Sequence, residues 1–592
     1  MSDYVVLWGD LSTEPAATLV MALTRTSSVR WTWAIKTSNA AVLIKSQRAP
    51  VIRALPDGRG LLVGEAWTRG GDTDLDLPKL LASASPESQV RTLCAGIWGR
   101  YVAILADGDR PAIFRDPSGG LEAFTWSRSG LTVVASSLPA DLIDLLAPPM
   151  TLDWDRIAGY LAIPTSLSGP LALRGITAVA PGELLQQSGG QSVRTSIWRP
   201  DAFVTDDHEP PAILQGRMVR LTDQVVGAWA RGRGPVLAEV SGGLDSAIVA
   251  AALARRTDVE VKSWLNYYSR GAESDERVYA EALGALHGFS ITSVAKPFRP
   301  IDVQGLSTNA GALRPSLIGL DYLRDADVAE RRRLAGANAI FTGQGGDAIF
   351  GQRLTALALT DHLRRQGLAS LRLGALRDLS DWTGSSAWTV LGQALSRGSR
   401  RMPAKDGNGP SFMADGARHA QAPIHPWLCA QDQTPPGKRQ QIERLAQAQL
   451  VTGDCRRSRE ADLIHPLLSQ PLVEFCLGIP IDVLTGLRRD RALAREAFAS
   501  RLPDALLHRR SKGDMTGHYG RWVSTSLPFL RTFLLDGRLA AQGVIDRDRL
   551  EAVLTPEQLA WGADYVSILF AAVLEAWVGH WEAACGDLAT RG

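Results

Sequence analysis

Two glycine-rich strings carry most of the chemistry this chain could perform. Ser241-Gly242-Gly243-Leu244-Asp245-Ser246 comes directly after an apolar run, and Thr342-Gly343-Gln344-Gly345-Gly346-Asp347 follows another farther on. A glycine pair after a strand lets the backbone approach an anion closely, because no Cβ intervenes. A helix opening behind it adds free N–H groups and a positive dipole end. Ser241 and Ser246 add hydroxyl donors. Asp245 would repel phosphates unless a divalent cation lay between them, so the first string predicts phosphate together with Mg2+. The plain alternative is a glycine turn whose Ser and Asp only cap a helix. The full six-residue string between strand and helix outweighs it. No Gly-Lys-Ser/Thr follows, so this is not the Walker A pattern.

These strings need elements to hold them. Pro235 to Val240 reads as a buried strand, Ser246 to Arg255 as an Ala-rich helix, Val259 to Asn266 as a second strand and Glu276 to His287 as a second helix. Ala339 to Thr342 is a further short strand. Alternation of this kind implies a parallel sheet with crossover helices. Glu239 is out of place in such a strand, where an apolar residue is expected. The C-terminal third reads as largely helical. The stretch 398–422, rich in Gly, Pro, Arg and Ser, reads as a mobile loop or insertion.

Before residue 200 the pattern is different. Tyr4 to Leu7, Ala41 to Ile44, Gly60 to Val63, Tyr101 to Leu105, Ala112 to Phe114 and Leu131 to Ala135 are short β-rich runs, several of them separated by turn residues. Helices are fewer, Asp153 to Leu161 among them. A polar, proline-bearing segment from Asp206 to Pro211 marks the change of pattern. The chain, 592 residues long, exceeds what one core supports. It divides into a β-rich part, 1–200, and an α/β part, 201–592.

Composition narrows the classes. A formal net charge of +2 gives no charge-based case for nucleic acid or a membrane surface. Cys94, Cys429, Cys455, Cys476 and Cys585 are scattered without a C-x-x-C pair. That argues against structural zinc and a disulfide framework and fits a reducing cytoplasm. No apolar run reaches about 18 residues, so no transmembrane helix is expected. Met1-Ser2-Asp3 lacks the basic and apolar regions of a signal peptide. Lysine is scarce, 8 of the 64 basic residues, which gives each one more weight.

The first string resembles the pyrophosphate loop of the N-type ATP pyrophosphatases, which cut ATP between the α- and β-phosphates. Three further segments extend the likeness to the asparagine synthetase superfamily. They are Ser274 to Ala280, the Thr342–Asp347 string, and Ala461 to Pro480, although the usual Arg-x-Pro-Phe-Leu-Asp reads here as Leu463-Ile464-His465-Pro466-Leu467-Leu468-Ser469. The resemblance implies an ATP site built from Ser241, Gly242, Gly243, Asp245, Ser246, Gly343, Gly345 and Gly346, with Asp245 and Asp347 as Mg2+ ligands. It also implies that Lys512, in Arg509-Arg510-Ser511-Lys512-Gly513-Asp514, neutralises charge on the α-phosphate and the acyl intermediate.

In the β-rich part, Arg115-Asp116-Pro117-Ser118-Gly119 and Ala180-Pro181-Gly182-Glu183 resemble class II glutaminase segments. The implied fold is a glutaminase-like Ntn sandwich followed by an ATP-pyrophosphatase-type parallel α/β domain with a helical C-terminal part. A working glutaminase needs Cys directly after the initiator Met, where its thiolate attacks the amide. This chain has Ser2, so the first domain is expected to be an inactive scaffold and no ammonia is supplied. The amine must then come from the substrate. Two relatives work this way, the β-lactam synthetases and the lasso peptide macrolactam synthetases. Inside the second string the former carry Tyr, part of a base-containing dyad, where this chain has Gln344, which cannot take a proton. A peptide α-amine, with a pKa of about 7.7–8.0, is partly neutral at pH 7 and does not need a committed base. The string and the extra region Gly351 to Pro436 look like the lasso cyclases.

The resemblance therefore implies a precursor peptide as substrate, with a leader-binding protein and a leader peptidase as partners. Tyr267, Tyr268, Arg314, His425 and Trp427 are candidate walls for the peptide. A β-lactam-synthetase-like or other intramolecular amide ligase, and a catalytically inactive ATP-binding scaffold, are the alternatives.

Overall fold

A computed structural model describes the chain apart from residues 1–2, 27–29, 46–49, 81–82, 84, 108–109, 189–190, 270–274, 353–354, 398–408, 419–424, 430–432, 511–515, 562–563 and 592. Its N-terminal part holds two six-stranded sheets. In one, Tyr4–Trp8 lies between Leu131–Ala135 and Ala40–Lys45. In the other, Ile97–Asp107 lies between Gly60–Thr68 and Arg110–Arg115. All pairings within the two are antiparallel.

Side chains alternate across each strand. Tyr4, Val6 and Trp8 point inward and meet Leu61, Val63, Val102 and Ile104 of the facing sheet. Val5 and Leu7 point outward onto the helix Glu14–Thr26 through Leu19, Val20 and Leu23. The opposite sheet buries Tyr101, Ala103 and Phe114 beneath the helix Pro86–Gly96. The result is a sandwich with helices outside both sheets. Such strands are apolar on both faces, and their run-like sequences reflect that.

The C-terminal part is built on a five-stranded parallel sheet. Its order is Ile291–Ala295, Val261–Tyr268, Val236–Glu239, Ala339–Phe341 and Asp462–Ile464. The chain fills one side first and then returns to the other, so the order reverses between Val236–Glu239 and Ala339–Phe341. Loops leaving the carboxyl ends of two such strands diverge and leave a crevice, the usual ligand position in open α/β sheets. Both glycine strings leave from these two strands.

Helices make up most of the remainder. Tyr565–Arg591 is the longest. By length and mean hydropathy its Tyr565–Leu588 portion could cross a membrane, yet 56% of that window is buried within this chain. Trp577 and Trp581 both donate to the carbonyl of Ala312, at 2.7 and 3.1 Å, which ties the helix into the core. The expectation of a mobile loop over 398–422 is corrected for its middle part. Phe412 and Met413 are fully buried, and Met413 bridges to Ile545. Most of the rest of that stretch lies outside the described residues. Three helices, Ala356–Gln366, Leu373–Thr383 and Ala387–Arg397, form the body of the region 351–436.

Candidate active site

The first glycine string wraps from the strand Val236–Glu239 into the helix Leu244–Ala254. Gly242 stands at φ +79°, and a Cβ there would lie 2.6 Å from the Glu276 carbonyl, so only glycine fits. Hydroxyls hold the turn closed. The Ser241 amide donates to Ser246 Oγ at 3.1 Å, that Oγ donates to the Gly243 carbonyl at 3.1 Å, and the Ser241 and Ser246 hydroxyls are 2.9 Å apart.

The second string packs directly on the first. A Cβ on Gly343 would sit 2.2 Å from the Ser246 amide nitrogen, and one on Gly346 would sit 2.4 Å from Asp245 Cγ. Gly345 is at φ +93° with Leu468 against it. Thr342 Oγ1 is 2.7 Å from His465 Nδ1 and accepts from the Gln344 amide at 3.2 Å. Gln344 itself is exposed.

Close packing of the strings brings Asp245 and Asp347 together around a single atom. Arg491 Nη1 is 2.9 Å from Asp347 Oδ1 and 3.2 Å from Asp245 Oδ2. Its other nitrogens pair with Asp490, at 2.6 Å. Arg491 is buried and holds φ 52°, a left-handed conformation that costs a non-glycine residue energy. Burial alone would lower its pKa, but Asp245, Asp490 and Asp347 more than compensate and raise it. Two carboxylates converging on one cationic atom are a donor set that fits a divalent cation. Among the described residues no group of three or more His, Cys, Asp or Glu forms a metal site, so the pair is the protein's offer there.

A family model described as Asparagine synthase matches residues 219–579, more than half of the chain and inclusive of both strings. The chain belongs to the asparagine synthase family. ATP-dependent amide-bond formation is the chemistry of this superfamily, and ATP is its nucleotide. No curated protein matches. Among solved structures, a glutamine phosphoribosylpyrophosphate amidotransferase from B. subtilis, complexed with ADP and GMP, is similar at 11% identity. The likeness covers 58% of this chain and 81% of that one, at a TM-score of 0.21, too low to carry an argument.

Other residues of this asparagine synthase family member surround the strings. Lys512 lies outside the described residues, as do Ser2 and Ser274. Arg509 is anchored at the first string. Arg509 Nη1 donates to the Gly242 carbonyl at 3.0 Å, pairs with Glu276 and lies 4.3 Å from the Tyr279 ring centre.

Glu239 now has a physical account. It pairs with Arg457 at 2.7 Å and with Arg324, and Arg457 pairs in turn with Asp325 at 2.8 Å. Burial pushes the Glu239 carboxyl up, but Arg324 and Arg457 overcome this and hold it below its ordinary value. The network locks the strand beneath the first string to the helices Tyr322–Leu334 and Arg456–Glu460.

The candidate walls separate into two groups. Tyr267 and Tyr268 end the strand Val261–Tyr268, where Tyr267 donates to Asp327 at 2.5 Å and Arg277 covers Tyr268. Arg314, His425 and Trp427 instead face the sandwich, and Trp427 donates to the Pro181 carbonyl at 3.1 Å.

Sequence reasoning missed Arg491 and His465. Arg491 sits among Arg488, Arg489 and Arg495, and nothing in residue type or spacing distinguishes it from them. His465 follows a three-residue strand, too short to show a period.

Proposed function

We propose that this protein is a lasso peptide cyclase. It activates the side-chain carboxylate of an Asp or Glu within a peptide and joins it to the peptide's own N-terminal amine. Family membership supplies the coarser statement, an ATP-dependent ligase. The observation that carries the finer one is Gln344, exposed in the second string and unable to accept a proton. A site with that residue suits an amine already partly neutral, and a peptide α-amine is one. The helical region 351–436 supports a large substrate.

The chemistry divides into two steps. A carboxylate oxygen attacks the α-phosphorus of ATP and pyrophosphate leaves. The amine nitrogen then attacks the acyl carbon, AMP leaves, and the surplus proton passes to solvent. The Gly242 amide and the opening turn of the helix Leu244–Ala254 would cradle the pyrophosphate, while the Ser241 and Ser246 hydroxyls, bonded within the turn, hold the loop in shape for it. Gly343, Gly345 and Gly346 keep the facing wall close enough to matter. Asp245 and Asp347 would hold Mg2+, which when bound offsets phosphate charge. Lys512 would offset charge building on the α-phosphate and the acyl carbon. Arg491 holds the two carboxylates side by side and balances their charge.

Ring closure is mainly an ordering problem, so the protein contributes a shaped cavity more than additional chemistry. The partners under this reading are the precursor peptide, a leader-binding protein and a leader peptidase, in the cytoplasm. The test is mass spectrometry of candidate precursor peptides incubated with ATP, magnesium and the peptidase. Loss of one water together with AMP is expected. Unchanged peptides alongside intact ATP binding would refute the reading and favour an inactive scaffold.

A further inference from the structure

One short segment lies between the second glycine string and the sandwich and touches both. Its strand Asp462–Ile464 runs beside Ala339–Phe341, and the Ile464 carbonyl accepts from the Thr342 amide at 3.1 Å. His465 Nδ1 is 2.7 Å from Thr342 Oγ1. Leu468 packs so close to Gly345 that a Cβ there would meet it at 2.3 Å. Three contacts from residues 464–468 therefore fall on the second string.

The sandwich holds the same segment from the other side. Arg100 pairs with Asp462 at 3.1 Å, and the Gln470 side-chain amide donates to the Cys94 carbonyl at 3.0 Å. Glu474 pairs with Arg69 at 2.6 Å and accepts from Trp198 Nε1 at 2.8 Å. Through this segment the first domain reaches the second string.

Within the segment, His465 is the residue whose place depends on a hydrogen bond. It is half-buried and borders a cavity of about 50 Å3 that Arg100 and Ser118 of the sandwich also line. Close packing therefore does not fix its ring on every side, and the bond to Thr342 does. Thr342 is buried, and its hydroxyl also accepts from the Gln344 amide at 3.2 Å. The path from imidazole to hydroxyl to amide ends on the backbone of the string itself, three residues before Asp347. Misplacing a reacting group by about 1 Å can cost about 100-fold in rate. We infer that His465 is a positioning residue for amide-bond formation, which, fixed from the sandwich side, holds the second glycine string against the first through Thr342. The role needs no proton transfer. Its effect on rate rests on the ligase reading of the crevice, whereas its hold on the string does not.

Two measurements on the full chain test it. An Asn side chain places its amide where the imidazole has Nδ1, and a Gln side chain places its amide near Nε2. Hydrogen exchange across residues 342–347, read by mass spectrometry, needs no substrate. His465→Gln should speed exchange there by about 10-fold, and His465→Asn should restore most of the protection. In steady-state cyclisation of a precursor peptide, His465→Gln should lower kcat by about 10- to 100-fold. KM for ATP should change by less than about 3-fold, since the first string is untouched. His465→Asn should recover most of the rate at every pH where the unaltered protein works. Thr342→Val removes the same bond from its other end, so adding it to His465→Gln should cost little more. Should His465→Gln fail to fold, Thr342→Val alone should show the same faster exchange and lower kcat. Unchanged exchange in the folded Gln or Val variant, an Asn variant no better than the Gln variant, or additive losses in the double variant would overturn the inference. No cyclisation by the unaltered protein would refute the peptide reading instead, and the exchange comparison would still decide this one.

Discussion

Replacing Arg491 with Gln should destabilise the protein, and magnesium with ATP should restore much of the loss. Arg491 Nη1 bridges Asp347 at 2.9 Å and Asp245 at 3.2 Å, while its other nitrogens hold Asp490. Removing one partner of a buried ion pair costs about 3–5 kcal/mol, because the other charge stays behind. The Asp347 side chain is 38% exposed, so water screens part of that cost, and about 3 kcal/mol is the working figure. A divalent cation taken up between the same carboxylates would supply the missing charge. The variant's carboxylates, no longer neutralised by Arg491, should bind the cation more tightly than the unaltered pair, and a hundredfold gain in affinity at saturation narrows the deficit by about 2.7 kcal/mol, comparable to the loss. The assay is the thermal midpoint of both proteins, in chelator and in saturating magnesium and ATP. Midpoint differences are the appropriate readout, since a chain of two units need not unfold in one step. The deficit of the variant should be large in chelator and less than half as large with magnesium and ATP. Equal midpoints in chelator, or a deficit that the ligands leave untouched, would refute the reasoning.

Three further outcomes follow from the same geometry. Gly346→Ala should cut kcat/KM by about 100-fold or more, since its Cβ would press on Asp245 Cγ and displace a reacting group's support; steady-state kinetics checks this. Arg509→Ala should lower kcat by about 10-fold with a smaller change in KM for ATP, because it removes the bond that fixes the Gly242 carbonyl of the first string. Lys438 offers a pH test. Burial pushes its ammonium down to about 7, against about 10.4 in an unfolded chain. The unfolded chain therefore binds the extra proton between those values, and stability rises with pH from about 7 to 10. Lys438→Met should flatten that rise and gain about 4 kcal/mol at pH 7, less whatever is lost with the bonds to Gln441 and the Cys476 carbonyl. Denaturant melts across that pH range measure it.

Much of the architecture was legible in the sequence because both parts bury strands on two faces. Such strands read as plain apolar runs, as at Tyr4–Trp8 and Val236–Glu239. Several strands were not anticipated, Trp31–Lys36, Phe124–Arg128, Glu183–Ser188 and Ile291–Ala295 among them, and others are of two kinds. Ile52–Ala54 and Asp462–Ile464 are three residues each, and Gln191–Ser196 is an edge strand that is almost wholly exposed, so neither kind carries a hydrophobic signature. The glycine strings could be read because backbone proximity leaves a residue-type mark. Gly343 and Gly346 are glycines for a reason visible only in three dimensions, yet the identity itself was printed in the sequence. Arg491 left no such mark, because its role depends on which two carboxylates the fold carries to it. Glu239 was noticed as an anomaly, but its partners Arg324 and Arg457 are far away in the chain.

The central claim is that the crevice between the two strings cleaves ATP at the α-phosphate to activate a carboxylate within a peptide. The most direct measurement is nucleotide analysis by chromatography with and without a cyclisable precursor peptide, for the unaltered protein and for Asp347→Ala. AMP and pyrophosphate should form only when peptide is present, in equal amounts with the dehydrated product, and Asp347→Ala should abolish all three. ADP as the product, or undiminished AMP from the Asp347→Ala variant, would contradict the account.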